Sequence, residues 1–123
     1  MKIIDAISNL DSLKQNTYTR EDKIRWLSTV DETVKREIMD HCVGADQVSF
    51  SGYTTDTDVN TVLLIPAPYD EAYSHWMGAQ IDLANGEYGK YNNAMEMFQT
   101  AYEGFKNYYN RTHMPKGKKF KFF

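Results

Sequence analysis

The fold of this chain is decided by residues 69–109, which read YDEAYSHWMGAQIDLANGEYGKYNNAMEMFQTAYEGFKNYY. Large apolar side chains recur there at the three- and four-residue spacing of one helical face. Glycine suits the left-handed position that ends a helix, so Gly86 divides the stretch into two helical arms. Because the break at Asn85-Gly86 is short, we expect the arms to form an antiparallel hairpin. The predicted stripe is Tyr69, Ala72, Tyr73, Trp76, Met77, Leu83 and Ala84 in the first arm, and Tyr88, Tyr91, Ala94, Met95, Phe98, Ala101, Tyr102, Phe105, Tyr108 and Tyr109 in the second.

Two amphipathic helices are predicted before the hairpin. The first covers residues 3–14. The second begins after Thr19, which has the side chain of an N-cap residue and is followed three positions later by Asp22, as in a capping box. It is expected to end near residues 42–44. The predicted buried faces are Ile3, Ala6, Ile7, Leu10 and Leu13 in the first helix, and Ile24, Leu27, Val30, Val34, Ile38 and His41 in the second.

The periodicity changes after the second helix. Phe50 alternates with polar neighbours, and residues 61–65 form a β-branched and apolar run, so two short strands or extended arms are expected. Pro66 and Pro68 prevent both a longer strand and an early helix, which places the start of the hairpin just after them.

Length and composition indicate one helical domain. The 123 residues are 41% hydrophobic and 14% aromatic, which is typical of a globular protein. We therefore expect a mainly α fold, a small bundle of about four helices in residues 1–110. A short β-like arm at 44–66 would lie between the second and third helices, and an extended basic and aromatic tail would follow at 111–123.

Neither a membrane span nor a secretory signal is expected. No apolar run approaches the roughly 20 residues that cross a bilayer. The opening positive charge of Lys2 is followed closely by Asp5, which is unlike a signal peptide. Cys42 is the single cysteine, which excludes an internal disulfide and fits a reducing compartment.

Charge is distributed unevenly along the chain. The net charge is −3, yet residues 37–89 hold nine acidic side chains and no lysine or arginine. The last 13 residues hold five basic side chains and no acidic one. One interpretation is a solvated acidic face with a solubilising tail. The other is that the basic end of one copy meets the acidic middle of another.

A calcium loop is the nearest match to a metal motif. Asp56 and Asp58, followed by Asn60, have the opening spacing of such a loop. Thr61 stands where the loop needs glycine, and Ala67 stands where it needs the bidentate acid. We therefore expect no calcium site.

The histidines and the cysteine also favour structural roles. Asp40, His41 and Cys42 carry ligand atoms side by side, but adjacent helical residues point in different directions. Cys42 is predicted to be a small buried apolar group. His75 has Glu71 one turn away, which favours a paired surface histidine over a catalytic base. With no nucleophile motif or phosphate-binding loop, we expect no enzyme, no cofactor and no metal.

The C-terminal tail leaves nucleic-acid binding open as an alternative. Residues 118–123 interleave lysine with phenylalanine, which could place cations on phosphates while the rings stack on bases. A small nucleic-acid-binding module using this tail is therefore the alternative function. An acidic body that repels what the tail attracts argues against it.

Four segments in the second half of the chain form a recognisable set. They are LIPAPYDE at 64–71, AQIDLANGEY at 79–88, YNN at 91–93, and YYNR at 108–111 followed by MP at 114–115. In these segments the chain resembles the head-tail connector proteins, also called head-completion or adaptor proteins, of long-tailed phages and prophages of Gram-positive bacteria. The first half resembles them only in layout.

The resemblance implies a structural protein of the virion neck, assembled in the bacterial cytoplasm of the host. Copies would form a homo-oligomeric ring below the portal protein, and a tail-side connector or stopper protein would dock onto that ring. Packaged DNA would pass through the ring without sequence-specific binding, and no membrane would be contacted.

Two groups of residues are the candidate partner contacts. In the tail, the phenylalanines would anchor a neighbour or the portal, and the lysines would set the orientation. In the acidic middle, the carboxylates would keep DNA from adhering to the channel wall. The candidates are Lys116, Lys118, Lys119, Phe120, Lys121, Phe122 and Phe123 in the tail, and Asp46, Asp56 and Asp58 in the middle.

Overall fold

The computed structural model describes residues 1–44 and 50–114. Within these residues the prediction of a mainly helical protein is confirmed, and they form four α-helices. A 3₁₀ turn follows the second helix, and the described residues contain no β-strand. The helices are α1 (Ile3–Leu13), α2 (Arg20–Glu37), α3 (Glu71–Ala84) and α4 (Tyr88–Thr112), and the 3₁₀ turn is Met39–His41.

The segment before α3 is attached to the start of α1 by backbone hydrogen bonds. The N–H groups of Ile3 and Ile4 donate to the carbonyls of Thr61 at 3.0 Å and Val59 at 2.9 Å. The first N–H groups of a helix have no partner inside it, so this segment satisfies them. In the described part of the predicted β-like arm, residue 44 and residues 50–66, pairing between extended backbones is limited to one isolated bridge from Lys2 to Val62.

Helix α2 begins at the predicted cap. The Asp22 N–H donates to the Thr19 hydroxyl at 3.2 Å, which satisfies one of the unpaired groups of the first turn. The Asp22 carboxylate accepts from Arg25 at 3.1 Å. The Thr19 prediction is therefore confirmed.

The end of α2 differs from the predicted face. His41 is exposed, whereas Met39 and Cys42 are 5% and 1% exposed. The 3₁₀ turn explains this difference, because its three residues per turn rotate the side chains away from the α-helical register. The prediction that Cys42 is a buried apolar group is confirmed, and burial raises the pKa of its thiol.

Helices α3 and α4 pack along each other through aromatic rings. The Trp76 and Phe98 ring centroids lie 5.1 Å apart, and those of Tyr69 and Phe105 lie 6.2 Å apart. The earlier residue, Tyr69, pairs with the later residue of α4, and Trp76 pairs with the earlier one, so the two helices run in opposite directions.

The predicted apolar stripes are wrong near several helix ends. Leu13, Leu83 and Tyr88 are 79%, 43% and 64% exposed, and Ala84 is exposed as well. Helix α3 packs against α1 and α2 in addition to α4. Its last turns therefore bury a different set of residues, which includes Ile81.

One hydrophobic core joins all four helices with the segment before α3. The largest side chains at its centre are Tyr73 and Phe105. Its members are Ile3, Ala6, Ile7 and Leu10 from α1, Ile24, Leu27, Val30 and Val34 from α2, Leu63 and Ile65 from the segment, Ala72, Tyr73, Met77 and Ile81 from α3, and Phe98, Tyr102, Phe105 and Tyr109 from α4, together with Ile38, Met39 and Cys42.

Two glycine substitutions near the turn between α3 and α4 should change the free energy of unfolding in opposite directions. Gly86 has a φ of +74°, so Gly86→Ala should lower the free energy of unfolding by about 1 kcal/mol. Gly89 lies inside α4, and nothing surrounds the position of its missing Cβ, so Gly89→Ala should raise that free energy by up to about 1 kcal/mol. Urea unfolding of both variants measures the two effects. Changes of the same sign would contradict this account of the turn.

Candidate interaction surface

A buried carboxylate fastens the segment before α3 to the helices. Asp31 lies on α2 and is completely buried. The hydroxyl groups of Tyr53 and Tyr73 each donate to its carboxylate at 2.5 Å. The Leu64 N–H donates to the same carboxylate at 3.1 Å. Asp31 therefore connects α2, α3 and the segment between them.

Tyr73 links this carboxylate to the backbone. Its hydroxyl also accepts a hydrogen bond from the Ile65 N–H at 2.7 Å, so one phenol satisfies two groups on different elements. Burial raises the pKa of Asp31, although its three hydrogen bonds act in the opposite direction. Burial and the nearby carboxylate raise the pKa of both Tyr53 and Tyr73. Asp31 therefore joins these elements from a position without contact with solvent.

Two ion pairs hold α1 against its neighbours. Lys14 contacts Asp82 of α3, whose side chain is only 4% exposed. Lys23 of α2 contacts Asp11 at 2.7 Å and is itself buried. The hydrogen bond from Lys23 lowers the pKa of Asp11. These pairs fix the orientation of α1 on α2 and α3.

The structure describes two of the predicted contact residues. Asp56 and Asp58 are exposed in the segment between α2 and α3. The Asp58 carboxylate accepts from the Asn60 N–H at 2.9 Å, and the Asp56 N–H donates to the Thr54 hydroxyl at 3.3 Å. The Asp58 carboxylate therefore stabilises a turn, whereas Asp56 contributes its backbone N–H, and both side chains face solvent.

The other predicted contacts lie outside the described residues. They are Asp46, Lys116, Lys118, Lys119, Phe120, Lys121, Phe122 and Phe123. In the described part of the chain, no three His, Cys, Asp or Glu side chains are arranged to hold a metal ion. Across residues 1–44 and 50–114, none of the helices combines the length and the hydropathy that crossing a membrane requires.

The end of α4 is attached to the chain that follows the 3₁₀ turn. The Val43 N–H donates to the Met114 carbonyl at 2.6 Å. The Cys42 thiol lies 3.8 Å from the Asn110 side-chain oxygen. The imidazole of His113 stacks on the Tyr109 ring at a centroid distance of 3.7 Å. The predicted basic tail therefore begins beside the first residues of the predicted arm.

A furrow along α3 exposes apolar side chains. It consists of two adjoining depressions of about 440 and 420 Å³, which share Glu71, His75 and Met97. Leu13 and Met97 are 79% and 56% exposed there. We call this surface the apolar groove. Its lining residues are Met1, Asn9, Ser12, Leu13, Pro68, Tyr69, Glu71, Ser74, His75, Met97, Thr100, Ala101 and Gly104.

The packing of three helices creates the apolar groove. Helices α1 and α4 both contact α3, and the furrow follows the α3 face between them. At Gly104, an added Cβ would lie only 3.1 Å from the Tyr69 ring, so glycine lets this ring approach α4. Among the described residues of the lining, Glu71 is the sole Asp, Glu, Lys or Arg side chain.

Sequence reasoning missed both Asp31 and the apolar groove. Asp31 could have been found, because it lies at an apolar position of α2, four residues after Leu27 and three before Val34. The sequence pattern indicated the apolar groove less clearly. Leu13 was predicted to be buried, and Met97 lies outside the predicted stripe of α4.

No family model matches the chain, and no curated protein or solved structure is detectably similar to it. The resemblance to head-tail connector proteins therefore stays a prediction.

The two tyrosines that bind Asp31 should differ in their contribution to stability. Tyr73→Phe removes two buried hydrogen bonds and leaves the Ile65 N–H unpaired, so we expect a loss of about 2–4 kcal/mol. Tyr53→Phe removes one bond from a half-buried ring, and we expect about 1–2 kcal/mol. Tyr102→Phe is the control for removing a tyrosine hydroxyl elsewhere, because this hydroxyl donates to the exposed Glu37 and not to Asp31. Urea unfolding checks the order, and a larger loss for Tyr53→Phe would contradict it.

Burial of Asp31 also predicts a dependence on pH. Its folded pKa lies above its ordinary value of 3.8, so protonation favours the folded state. This contribution is fully present below the ordinary value and is lost as the pH rises through the folded pKa. Relative to Asp31→Asn, the wild-type chain should gain stability as the pH falls from about 7 to about 4. Urea unfolding of both chains at several pH values measures this difference. A difference that is constant, or that shrinks as the pH falls, would refute the raised pKa.

Proposed function

We propose that this chain is a structural assembly protein of the phage neck, a head-tail connector that forms a ring between the portal protein and the tail. The proposal is carried by the apolar groove. Exposed apolar side chains that are gathered in one depression are a candidate interaction site. Leu13 and Met97 place two long apolar side chains on one exposed surface. A ring component needs a surface of this kind to meet its neighbour.

The charge distribution supports contacts between unlike surfaces. In a ring, one surface of each copy meets a different surface of the next. Asp56 and Asp58 are exposed on the body, and four lysines lie in residues 116–121. Opposite charges on the two surfaces would orient the copies and speed their association.

The rigidity of the body also suits an assembly component. Asp31 and its two tyrosine partners hold the segment between α2 and α3 against the helices. The exposed carboxylates of this segment are therefore presented from a fixed base. Preorganised surfaces lose less conformational entropy on binding.

Assembly with a portal protein tests the proposal. We expect the full-length chain to form a complex with a connector-compatible portal protein, measured by gel filtration with light scattering. Deleting residues 116–123 should abolish the complex, because it removes the phenylalanine anchors and four lysines. The matched control is Lys90→Gln with Lys106→Gln, which removes positive charge from α4 instead, and it should assemble like the wild type.

Two outcomes would overturn this proposal. A full-length chain that stays monomeric beside the portal protein would refute the connector function. A DNA gel-shift assay in the same buffers distinguishes the connector function from the alternative, a nucleic-acid-binding module. Binding that requires residues 116–123 and weakens steeply with salt would favour the nucleic-acid module.

A further inference from the structure

The apolar groove has no occupant within the described residues of the chain. Leu13 and Met97 are more than half exposed, although both lie beside the buried face of a helix. The groove runs along α3, where an extended peptide could contact α1 and α4 at the same time. A largely apolar ligand with a positive charge near Glu71 would complement this lining.

The C-terminal segment of the chain has this composition. Residues 115–123 read PKGKKFKFF, with three phenylalanines and four lysines. Phenylalanine rings bury large apolar areas, which matches the lining near Leu13 and Met97. A lysine ammonium matches Glu71, the sole Asp, Glu, Lys or Arg side chain among the described lining residues. Composition and charge are therefore complementary.

The point where this segment begins favours the groove of another copy. The last described residue before it, Met114, accepts a hydrogen bond from the Val43 N–H and does not line the groove of its own copy. Nine residues span at most about 30 Å when extended. A segment of this length, starting beside Val43, is long enough to reach a neighbour.

We propose that residues 115–123 of one copy bind in the apolar groove of a second copy. Phenylalanine rings contact Leu13 and Met97, and a lysine lies beside Glu71. The contact is heterologous, so it can repeat from copy to copy and close a ring. This inference rests on the proposed assembly function, since it names the surface that receives the C-terminal segment.

Photochemical crosslinking with isotope mixing tests this contact. The full-length chain with Phe122 replaced by p-benzoylphenylalanine is mixed with ¹⁵N-labelled wild-type chain, both free and in complex with the portal protein. Irradiation and mass spectrometry then identify the crosslinked residues and the chain that carries them. We expect crosslinks to Met97 and Leu13 of the labelled chain. The matched control carries the same photoreactive residue at Tyr88, an exposed ring on α4, and should not label the groove.

Two substitutions in the labelled partner sharpen the test. Met97→Glu places a carboxylate against the phenylalanine rings and should reduce the crosslink to Leu13 about tenfold or more. Tyr88→Glu alters a side chain of similar exposure on the same helix and should leave the yield unchanged. Glu71→Gln should cause a smaller loss that is more evident at low salt. Circular dichroism verifies that the variants stay folded.

The outcomes separate this inference from the proposed function. Crosslinks within one chain only, crosslinks that are unaffected by Met97→Glu, or no crosslink to the groove would each overturn the inference. If portal assembly still occurs in those cases, the connector function stands without it. Groove crosslinks between copies that never bind the portal protein would support the inference and overturn the connector function.

Discussion

The fold depends on a single buried carboxylate. Asp31 on α2 accepts hydrogen bonds from Tyr53 and the Leu64 backbone, in the segment between α2 and α3, and from Tyr73 on α3. A buried charge is costly unless it is hydrogen-bonded, so the three donors and the carboxylate require one another. The segment between α2 and α3 is also attached by backbone hydrogen bonds to the start of α1 and by burial of Leu63 and Ile65. Asp31 adds the connection from this segment to α2 and α3.

The surface properties follow from this arrangement. Once the segment is fixed, its hydrogen bonds to Ile3 and Ile4 position the start of α1. The contact between Lys14 and Asp82 positions the other end of α1 on α3. The apolar groove is what remains between α1, α3 and α4 when these contacts are made. The contacts that position α1, α3 and α4 therefore also place the apolar side chains that stay exposed between them.

Much of the helical architecture could be predicted from local pattern. The Thr19 cap and the glycine at Gly86 were found because helix ends have strong local preferences. The faces of α1 and α2 were largely right for the same reason, since periodicity reports which side chains share a side. The candidate site was less predictable. Asp31 meets Tyr53, Leu64 and Tyr73 across 22, 33 and 42 residues of chain, and no local pattern encodes such a meeting.

The amino-acid sequence by itself determined the number of helices, the break at Gly86 and the division between acidic and basic regions, because these depend on neighbouring residues and on composition. Only the tertiary structure decided which apolar residues stay in water. Leu13 and Ala6 lie seven positions apart, on the same side of a helical pattern, yet they are 79% and 0% exposed. The difference arises because a side chain is buried only where another part of the chain covers it. Contacts between residues far apart in the chain decide which side chains are covered.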